Sequence, residues 1–372
     1  MTFSAKGTKV LHLITGEFYA GAERVQDLLA AGLGRHGYEV GFACLKNGIF
    51  AEKRRHREAP LHAFPMQSRI DLGLSLRLSK LVRREGYRLL HTHTPRSALV
   101  GQLVSWMSRV PMVHHIHSPA ERDTESGWRN AANSLVERLS LRGARRLIAV
   151  SESLEQLLVS RGVDPGRIVQ VPNGVPLCER LRLGYRNGEP LEVGMVALFR
   201  PRKGVEVLLQ AMALLRDEGL PVRLRAVGPF ETPDYERSVR ELSARLGLEA
   251  QVTWCGFTSD INAGFARMHV FALPSLFGEG MPMVVLEAMA AGLPVISTRV
   301  EGIPQVVRQG QDGLLVEAGD ARQLADALRR CIRGEVDIAS LGDSGRQRQR
   351  ENFSDESMAA KVAAVYREVL AA

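Results

Sequence analysis

The sequence predicts an α/β protein made of two domains, each with a parallel sheet. Three observations carry this. Short apolar runs bounded by turn residues alternate with amphipathic segments along the whole chain, the pattern of β-α-β units whose sheet is covered on both faces. The chain has 372 residues, long for one core and comfortable for two. The alternation lapses once, in a polar stretch running from Pro172-Asn173-Gly174-Val175 to Pro190, and then restarts. A hydrophobic content of 45% with 6% aromatics is ordinary globular composition. No apolar run approaches the roughly 18 residues that would span a bilayer. The strand-like run Val10-Leu11-His12-Leu13-Ile14 begins too early for a signal-peptide layout. Cys44, Cys178, Cys255 and Cys331 show no paired or metal-type spacing, so they are expected to be reduced thiols in a cytoplasmic protein.

In the first half, Lys9 to Ile14 reads as a buried strand. It leads through a glycine-bearing loop, Thr15 to Arg24, into a helix with Val25, Leu28, Leu29 and Leu33 on its apolar face, closed by Gly37. Gly16 and Gly21 do not make a dinucleotide fingerprint, and Ala22-Glu23 after Gly21 excludes a Walker A loop. Strands follow at Glu39–Leu45, Leu61–Phe64 and Arg88–Thr92, with a helix from Leu74 to Glu85. His91-Thr92-His93-Thr94-Pro95 ends one strand and opens a helix; Met112 to Pro119, carrying His114, His115 and His117, ends the next. Ligands of such sheets bind beyond the carboxyl ends of the strands. Clustered histidines invite a metal reading, but His114 and His117 on one strand point to opposite faces, so no metal is expected. Asp123-Thr124-Glu125 reads as solvated, and the chain contains no Asp-x-Asp. Arg145–Val150 and Ile168–Val171 are further strands, with Ser151 capping the helix between them.

In the second half, Leu191 to Phe199 reads as a strand, and Arg200-Pro201-Arg202-Lys203-Gly204 opens a helix through Leu215. Cations there oppose the helix dipole. Facing a pyrophosphate, they would neutralise charge on a departing nucleotide. Strands at Leu224–Val227 and Val252–Phe257 end in Gly228-Pro229 and Gly256-Phe257. The most informative stretch runs from Pro274 to Val295. A strand, Val270 to Leu273, leads into a loop with two glycines. Pro282 then sits where a helix begins, and Gly292 is a good stop. Glu279 lies in the loop and Glu287 on the helix, eight residues apart. The helix start suits a phosphate, and a carboxylate a turn and a half in can accept from ribose hydroxyls. A strand at Asp312–Val316 and two late helices, Ala321–Arg333 and Glu356–Ala371, close the chain.

The stretch from Glu279 to Glu287 resembles the E-x7-E signature of the retaining glycosyltransferases of family four, and Glu287-Ala-Met-Ala-Ala-Gly-Leu-Pro-Val295 is similar to the run that follows it there. The resemblance extends over nearly the whole chain and is strongest over Val252–Val316. It implies the GT-B fold: two Rossmann-like domains with parallel sheets facing across a cleft. The implied limits are residues 1–172 for an acceptor-side domain, 173–190 for a hinge, and 191–355 for a nucleotide-sugar domain. A terminal helix over 356–372 would cross back onto the first domain. Gly21 lies in a segment similar to the family's Gly-Gly-Ala-Glu-Arg loop, with Ala20 in place of the first glycine. His117 matches the active-site histidine near the donor sugar. Lys203 matches the family lysine; the family arginine often lies where this chain has Leu198, so Arg200, ahead of Arg202, is expected to take its role. Glu279 and the backbone N–H groups of Gly280, Met281 and Met283 would hold the sugar, since Pro282 has no N–H. Glu287 would bind ribose, and Gly228, Gly256 and Phe257 would lie near the nucleotide.

The resemblance thus implies a retaining, metal-independent transfer of a sugar from a nucleotide-sugar to a glycan or lipid-linked acceptor, in cell-envelope polysaccharide assembly, with no cofactor. A sugar-nucleotide epimerase or phosphorylase on the same scaffold, or a non-catalytic partner of a synthase, stays open; the presence of Glu287 and Lys203 weighs against the last. Net charge is +8, and residues 1–175 carry 25 Lys/Arg against 15 Asp/Glu. Lys53-Arg54-Arg55-His56-Arg57 and Arg83-Arg84 therefore suggest an anionic membrane surface or a phosphorylated acceptor. Without interleaved aromatics or a binding motif, nucleic acid is not expected.

Overall fold

In the computed structural model the chain divides into two units, residues 1–174 with 355–372, and residues 175–354. The structure describes residues 7–17, 19, 21–67, 71–118, 141–178, 184–186, 188–258 and 260–372. Ala20 and the Asp123-Thr124-Glu125 segment lie outside the described residues.

The first unit alternates strands and helices: β1 (Thr8–Ile14), α1 (Gly21–Leu33), β2 (Tyr38–Cys44), α2 (Phe50–Lys53), β3 (Leu61–Ala63), α3 (Leu72–Glu85), β4 (Leu89–Thr92), α4 (Pro95–Ser108), β5 (Met112–Ile116), β6 (Arg146–Ala149), α5 (Glu152–Ser160) and β7 (Ile168–Gln170). The seven strands are parallel, in the order β3-β2-β1-β4-β5-β6-β7. β4 and β5 are buried along their whole length, as strands covered on both faces must be. Helix starts follow the side chains able to cap them. Asp71 accepts from Leu74 N at 2.8 Å, Thr94 and Ser97 form a reciprocal capping box, and Ser151 accepts from Leu154 N.

The second unit repeats the plan: β8 (Leu191–Val196), α6 (Val205–Asp217), β9 (Val222–Val227), α7 (Pro233–Arg245), β10 (Val252–Gly256), α8 (Ile261–Phe265), β11 (Val270–Leu273), α9 (Met283–Ala290), β12 (Val295–Thr298), α10 (Ile303–Val306), β13 (Gly313–Val316), α11 (Ala321–Ile332) and α12 (Ile338–Asn352). Its six parallel strands run β10-β9-β8-β11-β12-β13. Both sheets are thus doubly wound, with strand order reversing at the β1/β4 pair in one and the β8/β11 pair in the other. The last helix, α13 (Asp355–Ala371), belongs to the first unit. It buries Met358, Val362, Val365 and Tyr366 there, and Tyr38 packs edge-on against Tyr366 at 5.2 Å.

Three local expectations change. β8 ends at Val196, short of Phe199. Residues 201–203 form a 3-10 turn set off from α6 by Gly204, whose backbone is left-handed (φ 69°), so the cations stand before the helix and not in it. Helix α12 was not foreseen. Its buried face is Leu341 with Gly342, Gly345 and Gln349, and one leucine among two glycines and a glutamine leaves no apolar periodicity to read.

Candidate active site

β8 and β11 lie side by side, Val193 opposite Val270 and Gly194 opposite Phe271. The loops leaving their carboxyl ends are therefore neighbours at the switch point of the second unit. Gly204 brings them together: a Cβ there would stand 2.0 Å from the Pro274 carbonyl oxygen. Leu276 N donates to the Arg202 carbonyl at 2.8 Å and stitches the loops.

Glu279 is the centre of this corner and is 4% exposed. Its Oε1 accepts from Lys203 Nζ, from Ser275 Oγ at 2.7 Å and, at the limit of hydrogen-bonding distance, from Arg202 Nη1 at 3.5 Å. Arg202 also donates to the Gly278 carbonyl at 3.0 Å. Glu279 N donates to Glu301 Oε2 at 3.2 Å, and Gly302 N donates to the Glu279 carbonyl at 3.0 Å. Burial pushes the Glu279 carboxyl up, but Lys203, Arg202 and the Ser275 hydroxyl pull it down further, so it is held below its ordinary value. Burial also lowers the Lys203 ammonium, against which Glu279 works in the opposite direction. The pair is a buried, hydrogen-bonded carboxylate and ammonium.

Arg200 turns to Glu231, 3.1 Å away, while remaining within electrostatic reach of Lys203. Of the two arginines, Arg202 is the one in contact with Glu279. Helix α9 starts after Pro282, which caps it from an extended backbone. Gly280, Met281 and Met283 are all buried around that start, and Glu287 is half-buried on the helix. At the edge of β9 and β10, Gly228 has φ 130° and its N–H donates to the Gly256 carbonyl at 2.7 Å; a Cβ on Gly228 would stand 1.8 Å from the Ala197 oxygen. Phe257 is 61% exposed. Glu279, Lys203, Gly280, Met281, Met283 and Glu287 are therefore gathered on the β11–α9 side, while Gly228, Gly256 and Phe257 form a separate rim. Ser275 and Glu301 carry no motif and were not foreseen.

In the first unit Gly21 is the exposed first residue of α1. Behind it, Asp27 accepts from Tyr19 Oη, Arg55 N and His56 N at 2.6, 2.6 and 3.0 Å, pinning the segment after α2 to that helix. His117 follows β5, with Nε2 3.1 Å from His93 Nδ1. Half-buried itself, it joins a buried group of His12, His91, His93 and His115, the i and i+2 positions at the ends of β4 and β5 facing one side and His12 joining from β1 opposite His91. Burial holds His117 and His12 down at about 3 and depresses His91, His93 and His115, so all are neutral near pH 7. The two-residue spacing in His91/His93 and His115/His117 was the available signal for this group.

Two doubly wound units with cations and a buried carboxylate at a switch point define a GT-B type transferase. Residues 190–334 match the family described as glycosyl transferases group 1, and residues 19–178 match glycosyltransferase family 4. A D-inositol 3-phosphate glycosyltransferase of Corynebacterium glutamicum is 30% identical over 312 residues, 77% of this chain and 73% of its own. The capsular polysaccharide biosynthesis glycosyltransferase CapM of Staphylococcus aureus is 25% identical over 334 residues, 85% of this chain and 87% of its own. Among solved structures, Anabaena HepE in complex with UDP-glucose shares the fold, with TM-score 0.84 at 22% identity over 97% of this chain and 99% of that one. The chain belongs to the family 4, group 1 glycosyltransferases.

Proposed function

We propose that the protein transfers a sugar from a nucleotide-sugar held by the second unit to a glycan or lipid-linked acceptor bound by the first, with retention and without metal, in cell-envelope polysaccharide assembly. The observation that carries this reading is the buried Glu279 held by Lys203, Ser275 and Arg202 beside the start of α9. Lys203 and Arg202, with Arg200 nearby, supply positive charge for a pyrophosphate, and the first N–H groups of α9 add donors that no helical carbonyl can satisfy. Glu287 would meet the ribose, and Glu279 with the Gly280–Met283 backbone would meet the sugar.

Retention ordinarily implies a carboxylate nucleophile. Glu279 is engaged by two cations and a hydroxyl, which suits a positioning role. A front-face displacement fits better: the acceptor oxygen bonds to the anomeric carbon as the carbon–phosphate oxygen bond breaks. The acceptor's proton passes to the departing phosphate, and a nucleoside diphosphate leaves. HepE, which binds UDP-glucose, makes that compound the first donor to try. CapM points to capsular-type acceptors and the actinobacterial relatives to inositol phosphate. With UDP-glucose, saccharide acceptors and a chelator present, proton NMR of the product should show an α-linked glucoside; a β-linked product, or a requirement for added metal, contradicts the mechanism.

Part of the basic sequence is tied to its own backbone: half-buried Arg54 and exposed Arg57 donate to the Ala59 and Glu52 carbonyls. A better surface for an anionic bilayer lies at the amino-terminal edge of β4, β5 and β6. There a cavity of about 630 Å³ is lined by Arg88, Arg109, Arg142 and Arg145 beside Trp106, which is 79% exposed. Basic side chains at an anionic bilayer contribute about 1 kcal/mol each and are screened by salt. The protein should sediment with phosphatidylglycerol vesicles at low salt and release them at high salt; indifference to the vesicles, or to Arg109→Ala with Arg142→Ala, removes this surface.

A further inference from the structure

The histidines behind His117 form an unbranched chain. The Tyr366 hydroxyl, brought in by α13, lies 2.6 Å from His91 Nδ1 and 3.1 Å from His12 Nε2. His12 Nδ1 is 3.2 Å from His93 Nε2, and His93 Nδ1 is 3.1 Å from His117 Nε2. The two end nitrogens, His91 Nε2 and His117 Nδ1, are buried with no partner among the described residues.

Two arrangements of ions compete for such a group. His12, His91 and His93, and again His93, His115 and His117, each place three ligand nitrogens within 4.8 Å. The geometry favours protons over a metal ion. The His93 and His117 rings are nearly coplanar, 16° apart, with centroids 5.4 Å apart for a 3.1 Å nitrogen contact. The two nitrogens therefore lie almost on the line between the rings, head to head. A zinc ion on that line would need them about 4 Å apart, at about 2.0–2.1 Å per bond. His115 and His117 stack face to face at 4.3 Å and 22°, so their in-plane lone pairs do not converge. Head-to-head nitrogens in one plane are the geometry of an N–H···N bond.

The protons can then be counted. Four neutral imidazoles and one phenol carry five protons, and the chain has four contacts, each needing one. One proton remains for an end nitrogen. If it sits on His91 Nε2, every group donates toward His91 and His117 Nδ1 is a bare acceptor. If it sits on His117 Nδ1, every group donates the other way and His117 is a donor. Any mixed pattern leaves a contact with no proton or with two. The chain has two fully bonded states, related by one concerted shift and with no charged imidazole in either.

We propose that Tyr366, His12, His91 and His93 are positioning residues that set the tautomer of His117, fixing whether its buried Nδ1 is a donor or a bare acceptor while the ring beside the ligand stays neutral. From the proposed function this takes only that His117 meets a ligand; the chain stands without it. The orientation of one phenol on α13 thereby reaches the carboxyl end of β5.

The test uses the full chain labelled with 15N-histidine, without ligand or turnover. In the wild type, nitrogen–nitrogen couplings across the His12–His93 and His93–His117 contacts should be seen, with all four rings neutral at pH 7. Their absence overturns the chain. Tyr366→Phe, which removes one oxygen from a buried ring, should shift the His117 tautomer ratio although Tyr366 does not touch His117. On a His93→Phe background the same substitution should leave His117 unchanged. An unmoved His117 in the folded single variant, or an equal shift on both backgrounds, shows packing and not protons to be the link.

Discussion

Glu279 has two physical roles, and they separate by experiment. Its carboxylate offsets the buried charge of Lys203 and part of that of Arg202, both on the β8 loop. Removing one member of a buried pair leaves the other uncompensated, at a cost of about 3–5 kcal/mol. Glu279→Ala should therefore lower the melting temperature markedly, whereas Glu279→Gln, which keeps the volume and one acceptor, should lower it less while activity falls in both. Equal stability of all three proteins would show that the pair carries no net load. The same carboxyl predicts a pH signature. Its folded pKa is below its unfolded value, so the unfolded state binds the proton more readily. The stabilisation is complete above the ordinary glutamate range and is lost as pH falls through the lower folded value. The wild-type advantage over Glu279→Gln should shrink below about pH 4.5; an advantage that grows on acidification contradicts the pairing.

At the scale of elements, the β8 loop and the β11 loop share a corner only because Gly204 permits it. Its left-handed backbone (φ 69°) and the 2.0 Å approach of a Cβ to the Pro274 oxygen are separate penalties. Gly219 has nearly the same backbone (φ 73°) with open space around it, so it isolates the first penalty, about 1–3 kcal/mol. Gly204→Ala should cost more than Gly219→Ala in denaturant unfolding, and should weaken nucleotide binding where Gly219→Ala does not. Equal losses would mean the loops can part without consequence. The elements themselves were largely legible. β11 matched the apolar run that announces it, and Pro282 and Gly292 bracket α9 as their chemistry requires. What escaped has a common reason: packing that leaves no pattern in hydrophobicity. α12 buries glycines and a glutamine. The contact of Arg202 with Glu279 joins two loops far apart in the sequence, so no single segment announces it. Glu301 and Tyr366 reach their partners from elements whose neighbours only the fold reveals, and Ser275 meets Glu279 within one loop whose turn the sequence does not spell out.

For the whole molecule, the two units should answer acid differently. Among the described residues, the first holds seven histidines whose pKa values are depressed by burial, His62 among them, with His12 and His117 near 3 and His114 near 4. Below the ordinary histidine value of about 6.5 the unfolded chain takes up protons that the folded unit cannot, so stability falls steadily as pH drops toward those folded values. The second unit's Glu279 acts only at lower pH. Segmental hydrogen exchange at pH 5 against pH 7.5, corrected for intrinsic rates, should show β1, β4 and β5 losing protection before β8 and β11; the reverse order contradicts the assignment. The switch points follow from strand order, and strand order is not written in any one segment, which is why motifs located the candidate residues but not their neighbours.

The most direct test of the account is a thermal-shift panel of nucleoside diphosphates and nucleotide-sugars, run without metal on the wild type, Glu287→Ala and Lys203→Ala. A site of this kind predicts that one base raises the melting temperature of the wild type, since a ligand binding only the folded state stabilises by mass action. The rise should be reduced in Glu287→Ala through the ribose and in Lys203→Ala through the diphosphate. No shift with any nucleotide at millimolar concentration, or a shift that both variants retain in full, would contradict a donor site at the β8 and β11 loops.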